Sequence, residues 1–401
     1  MTSQSLRALE ATVLFVAFVA ATYAFGLYLF PATVEAIRRE IPFDYQVMGV
    51  LTGGIQAGFM TFSAVAGWLV LRFGGMRVIL GSVWLSAVAF AAMAGAGGPV
   101  TFGVLLFVMG AISATIWVPM VDVLRDLVPE RHRSKAMGAI AAGTSYGLLV
   151  NAWLVANLLD GQGWRALWLI AAGLTVALAT FGTLRLRRLA GPAGGLPSGA
   201  AAQGTLAQRL RALPRGTTVL VLSLMFLNGL ASIPYQTFIS PYVEAESTMG
   251  REAATLAWRV IAVVGMFSGF LFGGLGDRIT PRRALVVCFA VMACGFVVTI
   301  AGVRLNSVAV LASGAFLFAF VYYAMFGLVA AYIAFFFGAG SAVVFAVGNV
   351  LMGLGAVLGN VIGDTLKEAT GSFESVYWMF AAGAVASLVI SVVLPRRLAA
   401  A

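Results

Sequence analysis

The chain has 401 residues, of which 61% are hydrophobic and 10% charged, with a mean hydropathy of +0.99. A soluble protein carries roughly a quarter charged residues, so a water-dispersed multidomain protein is excluded. The formal charge of +10 is spread over short hydrophilic connections, which argues against a nucleic-acid partner and for a lipid bilayer as the surrounding phase.

Twelve apolar blocks are predicted as membrane-crossing helices at 11–31, 45–71, 78–96, 101–121, 136–159, 164–184, 217–239, 253–275, 284–303, 308–333, 341–363 and 375–394. Each is near the roughly 20 residues that span a hydrocarbon core as a helix, and none alternates as a barrel strand would. The fold class is therefore an all-α polytopic membrane protein. With the N-terminus inside, the inner segments hold 18 of the 25 Lys/Arg, whereas 10 of the 15 acids lie outside. That bias predicts a multi-pass protein of the plasma (inner) membrane with both termini cytoplasmic. No small-residue cleavage site follows the first apolar run, so it is expected to stay as span 1.

Polar and aromatic side chains on the spans are the first candidates for solute contact. Span 1 carries Tyr23 and Tyr28, span 4 carries Trp117 and Pro119, and span 5 carries Asn151. Asp122 and Asp126 close the inner end of span 4, and the next loop reads PERHRSKAMG, with Arg131, Arg133 and Lys135. Residues 185–216 are Gly/Ala/Pro/Ser-rich with linker composition. They end in TLAQRLRALPR, whose leucine spacing suits a short amphipathic helix on the cytoplasmic face. This linker divides the chain into residues 1–184 and 217–401, six spans each.

In the second half, span 7 carries Asn228 and Pro234-Tyr235-Gln236, and span 8 carries Arg259. Span 9 holds Cys288 and Cys294, which read as small apolar residues. Tyr322 and Tyr323 stand on span 10, and Asn349 and Asn360 on span 11. Gly355 and Gly359, like Gly269 and Gly273, are four residues apart, a spacing that lets helices approach closely. Asparagine inside a membrane needs a partner, which can be a neighbouring helix as readily as a solute.

Two loops share a phrase: GWLVLRFGGMR at 67–77 and GGLGDRITPRR at 273–283. Likewise WRALWLIAAG (164–173) resembles ESVYWMFAAG (374–383), which points to a parallel repeat of six-helix halves. GGLGDRITPRR is similar to the loop motif G-x-L-x-D-R-x-G-R-R of the major facilitator superfamily, which joins the second and third helices of each half. The resemblance extends over the whole chain and implies a twelve-helix secondary transporter with its substrate site near the midplane between halves. It also implies that spans 1, 4, 7 and 10 line that site, and that the motif aspartate latches the cytoplasmic mouth at a helix N-terminus of the other half.

Mapped onto this chain, the latch comprises Gly273, Asp277, Arg278, Arg282 and Arg283, with Gly67, Arg72 and Arg77 in the first copy. Arg131 and Arg133 are the facing cations. Position 71 is leucine where position 277 is aspartate, and its facing loop, AFFFGAGSA (334–342), has no charge. Leu71 is thus either a tolerated variant or the mark of a latch carried by Asp277 alone, and the coincident loss of the cations favours the latter. The candidate substrate-binding residues are Arg259, Tyr23, Trp117, Asn151, Asn228, Gln236, Tyr322, Tyr323 and Asn349.

Arg259 suits a carboxylate or other oxyanion. It could instead snorkel to the interface or pair with Glu252. No carboxylate lies deep in a span, and the family's R-x-x-Q-G and G-x-x-x-G-P patterns are absent at LFVMG (106–110) and GTSYGLLVNAW (143–153). These features favour transport of a small organic anion, together with a likeness of TYAFGLYLFP (22–31) to monocarboxylate- and oxalate-type members. The alternatives are efflux of hydrophobic or cationic compounds and, in another class, a membrane receptor or scaffold. A single histidine, His132, and the lack of deep acids leave little for acid–base catalysis, so no enzyme activity is expected. No metal or cofactor is indicated, a coupling ion is left open, and a monomer is expected.

Overall fold

A computed structural model of the chain describes residues 3–43, 45–189 and 213–395. Among these residues there is no strand. The first span is a continuous run of α1 (Ser3–Tyr23), a π-helical turn (Ala24–Tyr28) and α2 (Leu29–Glu40). Then come α3 (Tyr45–Phe73), α4 (Gly75–Ala94) and α5 (Pro99–Leu127). Helix α6 (Arg133–Leu189) has 57 residues and is two spans, because Gly163 breaks it with a φ of 76°. The second half comprises α7 (Arg215–Glu246), α8 (Gly250–Ile279), α9 (Pro281–Arg304), α10 (Val308–Phe337), α11 (Ser341–Thr370) and α12 (Glu374–Val393). Eleven helical stretches among the described residues are long and apolar enough to cross a membrane. With α6 counted twice, they match the twelve predicted spans. Helix α6 continues through Arg185 to Leu189, while the amphipathic segment expected near 205–215 falls almost wholly outside the described residues.

The chain forms two compact units. The first takes in Met1–Pro129, Gly143–Arg209 and Ala339–Ala346, and the second Glu130–Ala142, Leu210–Gly338 and Val347–Ala401. Each unit therefore contains a helix start from the other half of the sequence: 130–142, opening α6, in the second, and 339–346, opening α11, in the first.

Lipid tails are as apolar as leucine, so helices in a bilayer associate through close packing and polar contacts and gain little from the hydrophobic effect. In the first unit α3 crosses α5 at Gly58 and Gly110. A Cβ at Gly58 would lie 2.0 Å from the Phe107 carbonyl oxygen, and one at Gly110 would lie 1.9 Å from that of Ile55. In the second unit Gly355 and Gly359 of α11 hold the backbone of α7 as closely, against the carbonyls of Phe226 and Leu230. The Gly355/Gly359 spacing thus serves packing.

The repeat is also visible at helix ends 206 residues apart. Glu40 closes α2, accepts from Trp164 Nε1 at 2.7 Å and pairs with Arg165. Glu246 closes α7, accepts from Ser372 Oγ at 2.7 Å and from the Phe373 amide, and so caps the start of α12. A carboxylate at a helix N-terminus meets unpaired N–H groups and partial positive charge. The turns before α4 and α9 match as well: Gly74 has φ 83° and Thr280 has φ 93°.

Candidate functional site

In the first unit the π turn positions the aromatic candidates. Such turns hydrogen-bond i to i+5 and distort the helix locally. Here the buried Asn151 on α6 donates through Nδ2 to the Ala24 carbonyl at the head of the turn. Gly147, one turn earlier on α6, lies against Ala20 of α1 and Ala24 of the π turn, so a close glycine contact and an amide together grip the distorted segment. Tyr23, immediately before the turn, donates to the Ser113 carbonyl at 3.2 Å. Its ring meets Trp117 and Phe59 edge-on, with centroids 6.4 Å apart in both pairs. Trp117 in turn packs on Phe345 of α11 at 6.0 Å. Tyr23, Trp117 and Asn151 are thus brought together around one segment, whereas Tyr28 is exposed.

The second unit is less concentrated. Tyr322 stacks on Phe318 at 4.9 Å, Phe318 stacks on Tyr235 at 3.9 Å, and Tyr323 meets Tyr322 edge-on. Tyr235 is buried within this column and shares a 3.3 Å hydrogen bond with Thr299, so it is packed into its own unit. Asn228 is buried and its Oδ1 accepts from Ser232 Oγ at 3.0 Å, a contact within one helix. Asn349 is fully buried and Gln236 half-buried. Arg259 is exposed and makes no hydrogen bond, ion pair or ring contact among the described residues. The pairing with Glu252 is not formed, and nothing polar joins Arg259 to Asn228 or Gln236.

The contact made by Asp277 is sharper than either cluster. Asp277, in the last turn of α8, accepts from the backbone N–H groups of Ser134 at 2.8 Å and Lys135 at 3.0 Å. Those are amides of the first turn of α6, which have no acceptor within their own helix. The sequence offers Arg131, Arg133 and Lys135 to this carboxylate, but no guanidinium or ammonium pairs with it among the described residues. Lys135 instead places its Nζ over the Phe270 ring at 4.5 Å. Arg131, Arg133 and Arg278 line a cavity of about 640 Å³ beside Asp277. The preference is physical: two pre-aligned amides give bidentate docking without ordering long side chains.

Small residues permit this approach. A Cβ at Gly273 would lie 2.5 Å from the Ser134 carbonyl oxygen, and Gly269 and Gly138 are in backbone contact one turn further along both helices. Arg282 donates to the Val392 carbonyl of α12, and Arg283 is exposed. In the first copy a Cβ at Gly67 would lie 3.5 Å from that of Ala346, and Arg72 and Arg77 are exposed.

The sequence singled out Asp122 only by its place at the end of α5. In the structure it is 6% exposed and accepts from Ser341 Oγ, at the first residue of α11, at 2.6 Å.

Comparisons with known proteins place this geometry in a wider setting. A sequence profile of the Major Facilitator Superfamily matches residues 14–360. The cis,cis-muconate transport protein of Acinetobacter baylyi is 24% identical over 145 residues, covering 36% of this chain and 35% of that protein. The voltage-gated purine nucleotide uniporter of Rattus norvegicus is 27% identical over 153 residues, covering 36% and 34%. The chain thus spans about a third of the length of the curated relatives it matches. Among solved structures, the transporter FucP in the outward conformation superposes with a TM-score of 0.77 at 13% identity, over 97% of this chain and all of that one. The proton:xylose symporter XylE gives 0.74 at 14% identity, over 98% and 97%.

Proposed function

Because the chain belongs to the Major Facilitator Superfamily, we propose that it carries a small organic solute across a bilayer by alternating access, and that this solute is a carboxylate-type anion. The observation that carries the anion reading is Arg259, an exposed guanidinium on a membrane-crossing helix without an acidic partner among the described residues. An ionisable group within a membrane span is costly in hydrocarbon and points to a functional site by default, and a planar donor fork matches a carboxylate. The names of two relatives, a muconate transport protein and a purine nucleotide uniporter, are those of carriers of organic anions, which supports the reading. In this reading Tyr23 and Trp117 supply apolar and hydroxyl contacts from the first unit. Asp277 holds the cytoplasmic mouth by docking on α6, and both termini lie in the cytoplasm, as the Lys/Arg bias supports.

The test is thermal stabilisation of the purified protein by a panel of organic acids, nucleotides, sugars and lipophilic cations. A ligand at a hundredfold its Kd adds about 2.7 kcal/mol to stability, a readily measured shift. Organic acids should stabilise the wild type, and Arg259→Ala should lose that response while its own unfolding midpoint is kept. Stabilisation by lipophilic cations alone would replace the anion reading with efflux of cationic compounds.

A further inference from the structure

Asp122 is a carboxylate almost removed from solvent. Burying such a group is expensive unless hydrogen bonds or charges compensate it. Its compensation includes the Ser341 hydroxyl at 2.6 Å and Arg125 Nη1 at 3.9 Å.

The surroundings of Asp122 repeat those of Asp277. In the second unit the start of α6 lies along α8 and α10: Asp277 meets the amides of Ser134 and Lys135, and Gly269 and Gly327 meet Gly138. In the first unit the start of α11 lies along α3 and α5. Asp122 meets Ser341, Trp117 meets Phe345, and Ala66 and Val118 bury Ala346. One helix start is thus held by a carboxylate from the eighth span and the other by a carboxylate from the fourth. The pattern is complementary. Where α8 ends in Asp277, the matching end of α10, GLVAAYIAF (327–335), has no charge; where α3 carries Leu71, α5 carries Asp122.

We propose that Asp122 is the carboxylate of a second latch. It takes over, from the neighbouring helix, the place left at position 71, and it holds the first turn of α11 as Asp277 holds that of α6. This rests on the alternating-access reading for its purpose, but its geometry lies entirely within the first unit. The side marked by Leu71 is then closed by a polar contact as well as by packing.

Amide hydrogen exchange of residues 341–346 in the full chain tests this without any solute, so its outcome stands apart from the identity of the cargo. Asp122→Ala should speed exchange there roughly tenfold, as expected for losing a charge-assisted hydrogen bond. Ser341→Ala should speed it too, and the double variant should be no faster than the faster single one. Leu71→Asp should be silent alone and should return slow exchange in the Asp122→Ala background, since Gly67, one turn before Leu71, already lies against Ala346. If Asp122→Ala does not fold, Asp122→Asn carries the same comparison with the volume kept. Unchanged exchange in the Asp122 variant, additive effects with Ser341→Ala, or no return on adding Leu71→Asp would each overturn the second latch.

Discussion

Asp277 and Thr280 lie three residues apart and show two opposite solutions to a local demand. Asp277 satisfies two amides at once, so Asp277→Asn keeps the shape but halves the acceptor oxygens and removes the charge. The variant should lose about 1–3 kcal/mol at this contact. Faster exchange of the Ser134 and Lys135 amides and a changed transport rate would report it, and wild-type exchange there would show that the docking is incidental. Thr280 stands at φ 93°, where a β-branched residue is strained by of order 1–3 kcal/mol. Its hydroxyl accepts from the Arg283 amide at 3.4 Å, a long and weak cap. Gly74 occupies the same turn of the first repeat without that strain. Thr280→Gly should therefore raise the unfolding midpoint, because relieved strain exceeds the few tenths of a kcal/mol lost when glycine replaces a threonine cap. A lowered midpoint would mean that the cap outweighs the strain. The turn itself was legible as a repeated phrase. Docking of Asp277 at a helix N-terminus was implied by the family motif; that none of the three nearby cations pairs with it among the described residues was not, because charge in a sequence does not fix where long side chains are placed.

At the scale of elements, the spans were readable and their interruptions were not. Apolar blocks gave the helices, but α7 runs on to Glu246 and α11 to Thr370, beyond the apolar stretches, since helix continues through the polar interface where hydropathy has already dropped. The π turn at Ala24–Tyr28 left no trace, because AFGLY is apolar on every side and carries no periodicity to break. Asn151 was singled out for its polarity, and its partner is a backbone carbonyl and not a side chain. Asn151→Ala should remove this cross-helix hydrogen bond to the buried Ala24 carbonyl and cost about 0.5–1.5 kcal/mol. Asn157→Ala is the control, since Asn157 is exposed and bonds only within its own helix, to the Trp153 carbonyl. Equal losses from the two substitutions would show that the π turn does not depend on Asn151.

For the whole molecule, the linker composition pointed to two halves of sequence, while the compact units exchange their helix starts at 130–142 and 339–346. That exchange could not be read from composition, because it depends on which helices pass close in space. Asp122 was hidden for the same reason: its partner is 219 residues away and belongs to no shared phrase. The tie at the end of α2 predicts a pH dependence. Hydrogen bonds first from Arg165 and then from Trp164 hold Glu40 below the ordinary carboxylate range. A lowered folded value means that the stabilisation is fully present above the unfolded value, near pH 4.3, and is lost as pH falls through the folded one. Glu40→Gln should therefore melt slightly below the wild type at pH 7 and alongside it at the acid end of a pH series. A gap that persists under acid would assign the effect to packing.

The π turn also changes how the first span can be probed. By α-helical geometry Tyr23 and Tyr28, five positions apart, would point about 140° away from each other. A turn that closes on the fifth residue brings them back toward one side. A single projected wheel drawn from Ser3 to Glu40 therefore mislabels whichever end it was not anchored on. In a cysteine or tryptophan scan of this span the accessible positions should form two series, out of phase with each other, and the phase slip should fall between residues 24 and 28.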